Sequence, residues 1–264
     1  MKVELLNPIT VKNIYHEHGE FACTCYGTPD KYADKVGKSC AENGHFSGSR
    51  HIYIKFKITD IDRGTAEQCL RHEIGTDVPF GYLDNYNIYD YSQKNMNVPA
   101  DEIVKNMASF RYIDKDGFNY ATPSAISIYE EINKEYCDVM NSINDTRKKL
   151  IDLMLKRGFS LKSANENANF VLPRATTTDF CIAFTPEALI NFCNKRLCNR
   201  AQEFIRKLAI LMREEIEKIN PDFAADLRPH CENLLYCPEG KASCGCMPTK
   251  EEIKQMLRKE GYIN

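Results

Sequence analysis

Gln68, Arg71 and His72 are spaced i, i+3 and i+4, so on a helix they emerge from one face. An arginine beside a histidine suits a planar, anionic ligand. The guanidinium is a forked donor for phosphate, and the imidazole donates or accepts near neutral pH. The same residues also fit a plainer role, with Arg71 paired to a surface carboxylate and His72 packed and satisfied. A short polar motif does not decide between the two. Downstream, Ser109-Phe110-Arg111-Tyr112 offers a hydroxyl and a second guanidinium. Upstream, Gly44-His45-Phe46-Ser47-Gly48-Ser49-Arg50-His51 joins glycines, hydroxyls and two histidines in a polar turn that can touch a ligand. His45 and His51 lack the nearby carboxylates or cysteines that zinc requires.

These groups need elements to position them. Phe21–Gly27 reads as a short strand or a helix start ending in a turn, with Cys23 and Cys25 as packing residues. Lys31–Glu42 is an amphipathic helix stopped at Asn43-Gly44. Ile52–Ile58 is rich in β-formers and reads as a strand. The first half of the stretch from Ile61 to Tyr112 reads as a helix and carries the Gln68 face. The tyrosine- and asparagine-rich stretch from Gly75 to Ala108 reads as an excursion, a lid or a subunit contact. A short helical pattern leads into Ser109. Phe118-Asn119-Tyr120 is a strand candidate, after which Ser124 caps a long helix through Lys156. The apolar stripe of that helix, including Ile126, Tyr129, Ile132, Val139, Ile143 and Leu153, is expected in the core. Thr176–Phe184 is a threonine-rich strand. Thr185 caps a helix with Pro186 in its first turn, and that helix carries Asn191, Phe192, Asn194 and Arg196. Ala201–Lys218 is an amphipathic helix with Gln202 and Arg206 one turn apart.

With 264 residues the chain has length for one large domain or two small ones and an ample core. A net charge of -2 and 43% hydrophobic residues are ordinary for a globular protein. They argue against a general nucleic-acid or membrane binder, not against a local basic pocket. The first residues lack a signal-peptide core and no apolar run spans a bilayer, so a cytoplasmic location is expected. Twelve cysteines scattered in such a chain are expected to be mostly free thiols. Neither Gly-x-Gly-x-x-Gly nor a Walker loop is present, which removes Rossmann and P-loop nucleotide sites.

The order of the motifs resembles the flavin-dependent thymidylate synthases, the ThyX family. That family carries Gly-His-x-Ser-x-x-Glu-His, Arg-His-Arg, Ser-x-Arg-Tyr, Ala-Arg-x-x-Leu-Pro, Asn-x-Arg, Asn-Phe-x-x-x-Arg and Ala-Gln-x-Glu-Ile-Arg. Here the matching pieces are Cys25-Tyr26, Gly44-His45-Phe46-Ser47 with His51, Arg63, Gln68 and Arg71-His72. They continue through Ser109-x-Arg111-Tyr112, Leu172-Pro173, Asn191-Phe192, Asn194, Arg196, Ala201-Gln202 and Ile205-Arg206. Single pieces are weak, but their joint order is specific, and it spans most of Cys25 to Ile210. The departures are local. Glu73 replaces the third residue of Arg-His-Arg, Asn169 the arginine of Ala-Arg, and Glu187 the arginine of Asn-x-Arg. A buried carboxylate beside a phosphate needs a compensating cation, for which Lys94, Lys195 and Arg200 are candidates. Ser92-Gln93-Lys94 rivals Ser109 for the Ser-x-Arg position.

The resemblance implies an α+β fold, a mixed sheet flanked by helices with a long central helix, in a homotetramer with shared sites. It implies a catalytic domain over 1–227, with an insertion at about 77–105, and leaves 228–264 outside the match as a cysteine-rich tail. It implies FAD as cofactor, NADPH and methylenetetrahydrofolate as co-substrates, dUMP as substrate and dTMP as product. His45, Ser47, Arg71, His72, Asn194 and Arg196 would hold the flavin. Gln68, Arg71, Ser109, Arg111 and Arg206 would hold dUMP, with Ser109, Arg111 and Arg206 nearest the chemistry. Neither nucleic acid nor a membrane is expected as partner. Two other readings are a flavin- and pyrimidine-nucleotide-binding relative with altered one-carbon or oxidase chemistry, and a non-enzymatic metal-binding protein. The last rests on the tail, where Cys231, Cys237, Cys244 and Cys246, with His230, are weak zinc candidates at spacings that fit no standard zinc pattern.

Overall fold

A computed structural model of the chain describes residues 1–70, 103–108, 117–260 and 262. Arg71, His72, Glu73, Ser92, Lys94, Ser109, Arg111 and most of the expected insertion lie outside the described residues.

Four strands form one sheet: β1 (Lys2–Leu5), β2 (Ile54–Asp62), β3 (Ile103–Met107) and β4 (Thr177–Phe184), in the order β1-β2-β4-β3. On β2, buried Ile54, Phe56 and Ile58 alternate with exposed Lys55 and Lys57, the period of two that gives a sheet one apolar face. The helices are α1 (Pro8–Lys12), α2 (Ile14–Tyr26), α3 (Ala33–Glu42), α4 (Arg63–Leu70), α5 (Ser124–Ser127) and α6 (Glu130–Lys156). They continue with α7 (Leu161–Ala168), α8 (Pro186–Arg196), α9 (Glu203–Glu217), α10 (Pro221–Asp226), α11 (His230–Leu234) and α12 (Lys250–Lys259). The protein is therefore α+β, as expected. Among the described residues, one compact unit comprises Met1–Lys2, Lys57–Leu70 and Lys105–Cys181, and the other comprises Val3–Phe56, residues 103–104 and Ile182–Asn264.

In the first unit, α4 is anchored at its N-terminus. The Thr65 N–H donates to Asp62 Oδ1 at 2.8 Å, while the Arg63 and Gly64 N–H groups donate to the carbonyls of Thr176 and Arg174. Asp62 thus serves the first turn as a capping carboxylate. Helix α6 is tied in by Tyr136, whose hydroxyl donates to the Ala121 carbonyl at 2.9 Å. Four expectations are corrected here. The lead into Ser109 is strand β3, not a helix; its β-branched Ile103-Val104 favours the extended form. Ser124 is the first residue of α5 and does not cap it, because Pro123 occupies the cap position with extended backbone. The long helix is interrupted at Ile128-Tyr129, so α6 starts at Glu130. Its apolar stripe is not core either. Ile132, Val139 and Leu153 are 45%, 47% and 59% exposed, while Met140 and Arg147 are the buried residues of this helix.

The second unit packs α2 against α3 and α8 against α9. Phe21–Gly27 is the end of a helix, closed by Gly27 in the left-handed region at φ 62. Cys23 is buried and Cys25 exposed, so only the first is a packing cysteine. The local caps follow the residues. Thr185 accepts from the Ala188 N–H, Gln202 accepts from the Phe204 and Ile205 N–H groups, and Thr249 forms a capping box with Glu252. The apolar face of α9, built from Ile205, Leu208, Ala209, Met212 and Ile216, is buried, and Phe184 meets Phe192 with ring centroids 5.3 Å apart.

Candidate functional site

Helices α8 and α9 end and begin at the same place, and this puts cations close together. Asn194 and Arg196 occupy the last turn of α8, and Arg206 the first turn of α9. With Arg200 and Arg213 they line a cavity of about 500 Å³ in the second unit. The tail closes it, contributing His230, Glu232, Glu239, Cys231, Cys237, Cys244 and Cys246. Arg206 donates from Nε to the Leu197 carbonyl at 3.4 Å and from a terminal nitrogen to Asn199 Oδ1 at 2.8 Å. The Asn194 Oδ1 accepts from Asn233 Nδ2 at 2.8 Å. Arg196 Nε and Arg213 Nε are buried and meet no hydrogen-bond acceptor among the described residues. A buried, unsatisfied donor on a cation costs roughly 1–3 kcal/mol, so such pairs point to an anion that completes them. The donor set therefore suits a phosphate group, as a nucleotide or a flavin dinucleotide would bring.

Three of the expected residues, Asn194, Arg196 and Arg206, thus come together. His45 and Ser47 do not line this cavity; both are exposed on the turn after α3. Gln68 lies on α4 in the first unit. Arg71, His72, Ser109 and Arg111 lie outside the described residues. Arg213 was not singled out in the sequence, although it falls seven residues after Arg206 on the same amphipathic helix, a spacing that would have found it. Asn233 and the tail cysteines had no such signal, because the tail lies outside the family pattern.

The His45 turn is held by His18, also absent from the sequence-based candidates. His18 is 3% exposed, and its Nε2 donates to the His45 carbonyl at 2.9 Å. Gly48 lets the turn close on it, since a Cβ there would sit 2.9 Å from His18 Cδ2. Burial lowers the His18 pKa; the His45 hydrogen bond opposes the shift and a charged His51 reinforces it. The folded state therefore prefers neutral imidazole, while the unfolded chain binds a proton near the ordinary value of 6.5. This contribution to stability is complete above pH 6.5 and is lost as the pH falls through the lower folded value. The melting temperature is expected to drop on acidification below pH 6.5, and His18→Gln, which keeps a donor without titrating, is expected to flatten that part of the profile. A curve identical in both proteins would remove His18 from the account.

Glu187 is neither buried nor uncompensated. Its carboxylate lies 3.9 Å from an Arg50 guanidinium nitrogen, and its side chain is 32% exposed. Arg50 stands where the family turn has its glutamate, and Glu187 where Asn-x-Arg has its arginine, so the two charges are exchanged. None of Lys94, Lys195 and Arg200 is needed for that purpose. In the first unit a second cavity, about 590 Å³, is lined by Arg63, Glu67, Ala108, Asn169, Phe170 and Arg174 among others. Asn169 accepts from Nε of the buried Arg147 at 2.7 Å. A guanidinium is thus present at this turn, carried by α6 and not by position 169. The zinc alternative finds no support: among the described residues no three His, Cys, Asp or Glu side chains group as a metal site.

A family model described as "Thymidylate synthase complementing protein" matches residues 15–222. The chain is 28% identical over 216 residues to a flavin-dependent thymidylate synthase of Nitratidesulfovibrio vulgaris, covering 81% of this chain and 77% of that one. It is 30% identical over 210 residues to a protein of the same name from Clostridium tetani, covering 76% and 73%. A third, from Pyrococcus abyssi, is 29% identical over 222 residues, covering 82% and 78%.

Proposed function

The chain belongs to the thymidylate synthase complementing protein family, and from that premise we propose that it is a flavin-dependent thymidylate synthase converting dUMP to dTMP. The observation that carries the reading is the cluster of Arg196, Arg206 and Arg213 with Asn194 around one cavity, in which Arg196 and Arg213 each keep a buried Nε that meets no acceptor among the described residues. When bound, FAD supplies the hydride, with NADPH as its reductant and methylenetetrahydrofolate as the one-carbon source. The protein's own part is positioning and electrostatic preorganisation. Arg196 and Arg213 hold an anionic phosphate, and Asn194 fixes the flavin side through its polar amide. Arg206, oriented by Asn199, faces the pyrimidine nucleotide. To His45 and Ser47 on the turn backed by His18, to Arg71 and His72, and to Gln68, Ser109 and Arg111 the resemblance assigns further flavin and dUMP contacts.

The assembly we propose is a homotetramer with shared sites. The exposed stripe of α6 supports it, since Ile132, Val139 and Leu153 form an apolar surface of the kind subunits bury. No helix among the described residues is long and apolar enough to cross a membrane, and we place the enzyme in the cytoplasm. Purified protein is expected to be yellow, to change its visible spectrum on adding dUMP, and to form dTMP with methylenetetrahydrofolate and NADPH. Colourless protein that takes up no FAD overturns the reading.

A further inference from the structure

Cys244 and Cys246 sit either side of Gly245, which lies in the left-handed region at φ 81. That turn folds the two thiols together, so that the Cys244 sulfur faces both the backbone N–H and the thiol of Cys246. The Asn199 amide lies against both: its Nδ2 donates to Cys246 Sγ at 3.2 Å and also reaches Cys244. The other end of the same amide accepts from Arg206 at 2.8 Å. Both cysteines are exposed and line the arginine-rich cavity. The remaining cavity cysteines differ. Cys198, Cys231 and Cys237 lie near one another, two are half-buried and Cys237 is buried.

We propose that Cys244 and Cys246 are a redox-active dithiol whose oxidant is a low-molecular-weight disulfide, and that Asn199 links its state to Arg206. The Cys244 thiolate attacks one sulfur of the small disulfide, forming a mixed disulfide and releasing one thiolate. The Cys246 sulfur, losing its proton to solvent, then attacks Cys244 Sγ, closing the Cys244–Cys246 bond and releasing the second thiolate. Two electrons and two protons leave the protein, and one disulfide becomes two thiols. The hydrogen bonds that Cys244 receives hold its thiol below the ordinary range, whereas burial pushes Cys231 up. Thiolate character and exposure therefore select the tail pair as the reactive one. A disulfide across a single residue closes a small, strained ring, and strained, exposed disulfides are the readily reduced ones. Once that bond forms, Cys246 is a poorer acceptor for Asn199, and the amide that orients Arg206 loses one of its anchors.

The site does not depend on the proposed dTMP chemistry, and its test reads thiols alone. Full-length reduced protein is incubated with glutathione disulfide and analysed by intact mass and peptide mapping. The wild type is expected to lose the mass of two hydrogen atoms without an adduct, with Cys244 joined to Cys246. Cys246→Ser is expected to stop at one glutathione adduct, on Cys244, and Asn199→Ala to slow formation of the Cys244–Cys246 bond several-fold. The proposal is overturned by adducts at exposed Cys25 or Cys181 forming as readily, by a bond among Cys198, Cys231 and Cys237 instead, or by Cys246→Ser carrying no adduct on Cys244.

Discussion

Arg196→Met is expected to lower kcat/KM for dTMP formation by roughly 10²–10³-fold, the effect of removing one preorganised donor to a developing or bound charge, while leaving the melting temperature unchanged or raised. The two halves of this expectation come from one observation. Arg196 lines the cavity, and its Nε is buried and meets no acceptor among the described residues. In the ligand-free protein such a group is a cost, and a methionine of similar length removes it while keeping the packing of the side-chain stem. In the liganded protein the same nitrogen gains an anion, and its loss is felt there. A residue held for structure behaves in the opposite way. Measuring FAD and dUMP affinity together with thermal unfolding separates the cases. A fall of several degrees with both affinities intact would make Arg196 a structural cation and deprive the proposed function of its main support.

Arg213 extends this argument along α9. Arg206, Ile210 and Arg213 recur at helical spacing and reach the same cavity. Gln202 starts that helix by accepting from two backbone N–H groups, so the cap that fixes the helix start also fixes where Arg206 points. The cations of the cavity are therefore set by one helix end and one helix beginning, a more rigid support than a loop provides.

What could be read in the residues divides by distance along the chain. Thr185 with Pro186, and Thr249 with Glu252, announce helix starts because a cap is made within three or four residues. The buried face of β2 is legible for the same reason, as Ile54, Phe56 and Ile58 alternate with lysines. The meeting of Asn194, Arg196 and Arg206 was legible only through the order of family motifs, since no local rule states that α8 and α9 share a cavity. Glu187 illustrates the limit. Alone it looked like a carboxylate set against a phosphate; its partner Arg50 is far away in sequence, and only the fold brings the exchanged charges together. The stripe on α6 misled because helical periodicity marks an apolar face without saying what covers it. Arg147 is the reverse case, a charged residue within a helix that is buried at 1% exposure and bonded to Asn169.

Gly19→Ala and Gly37→Ala are each expected to destabilise the protein by about 3 kcal/mol or more, the upper range for overpacking. Two effects compete. Alanine in place of a helical glycine stabilises by roughly 0.5–1 kcal/mol, and both glycines lie inside helices, α2 and α3. Against this, a Cβ on Gly19 would stand 1.8 Å from the Ala33 carbonyl oxygen, and a Cβ on Gly37 1.8 Å from the Tyr15 carbonyl oxygen. These obstacles are backbone atoms, so no side chain can swing aside. The helices must separate, and Ile14, Cys23 and Cys40, all buried, lose contact as they do. Separation also disturbs His18, and with it the His45 turn. Thermal unfolding should show a drop of about 6–12 °C, at roughly 2–4 °C per kcal/mol for a protein of this size, or loss of soluble protein. Lys35→Ala, on the exposed side of α3, should stay within about 0.5 kcal/mol. If Gly19→Ala and Gly37→Ala melt no lower than Lys35→Ala, the two helices do not cross with their backbones in contact, and the support inferred for the His45 turn fails with them.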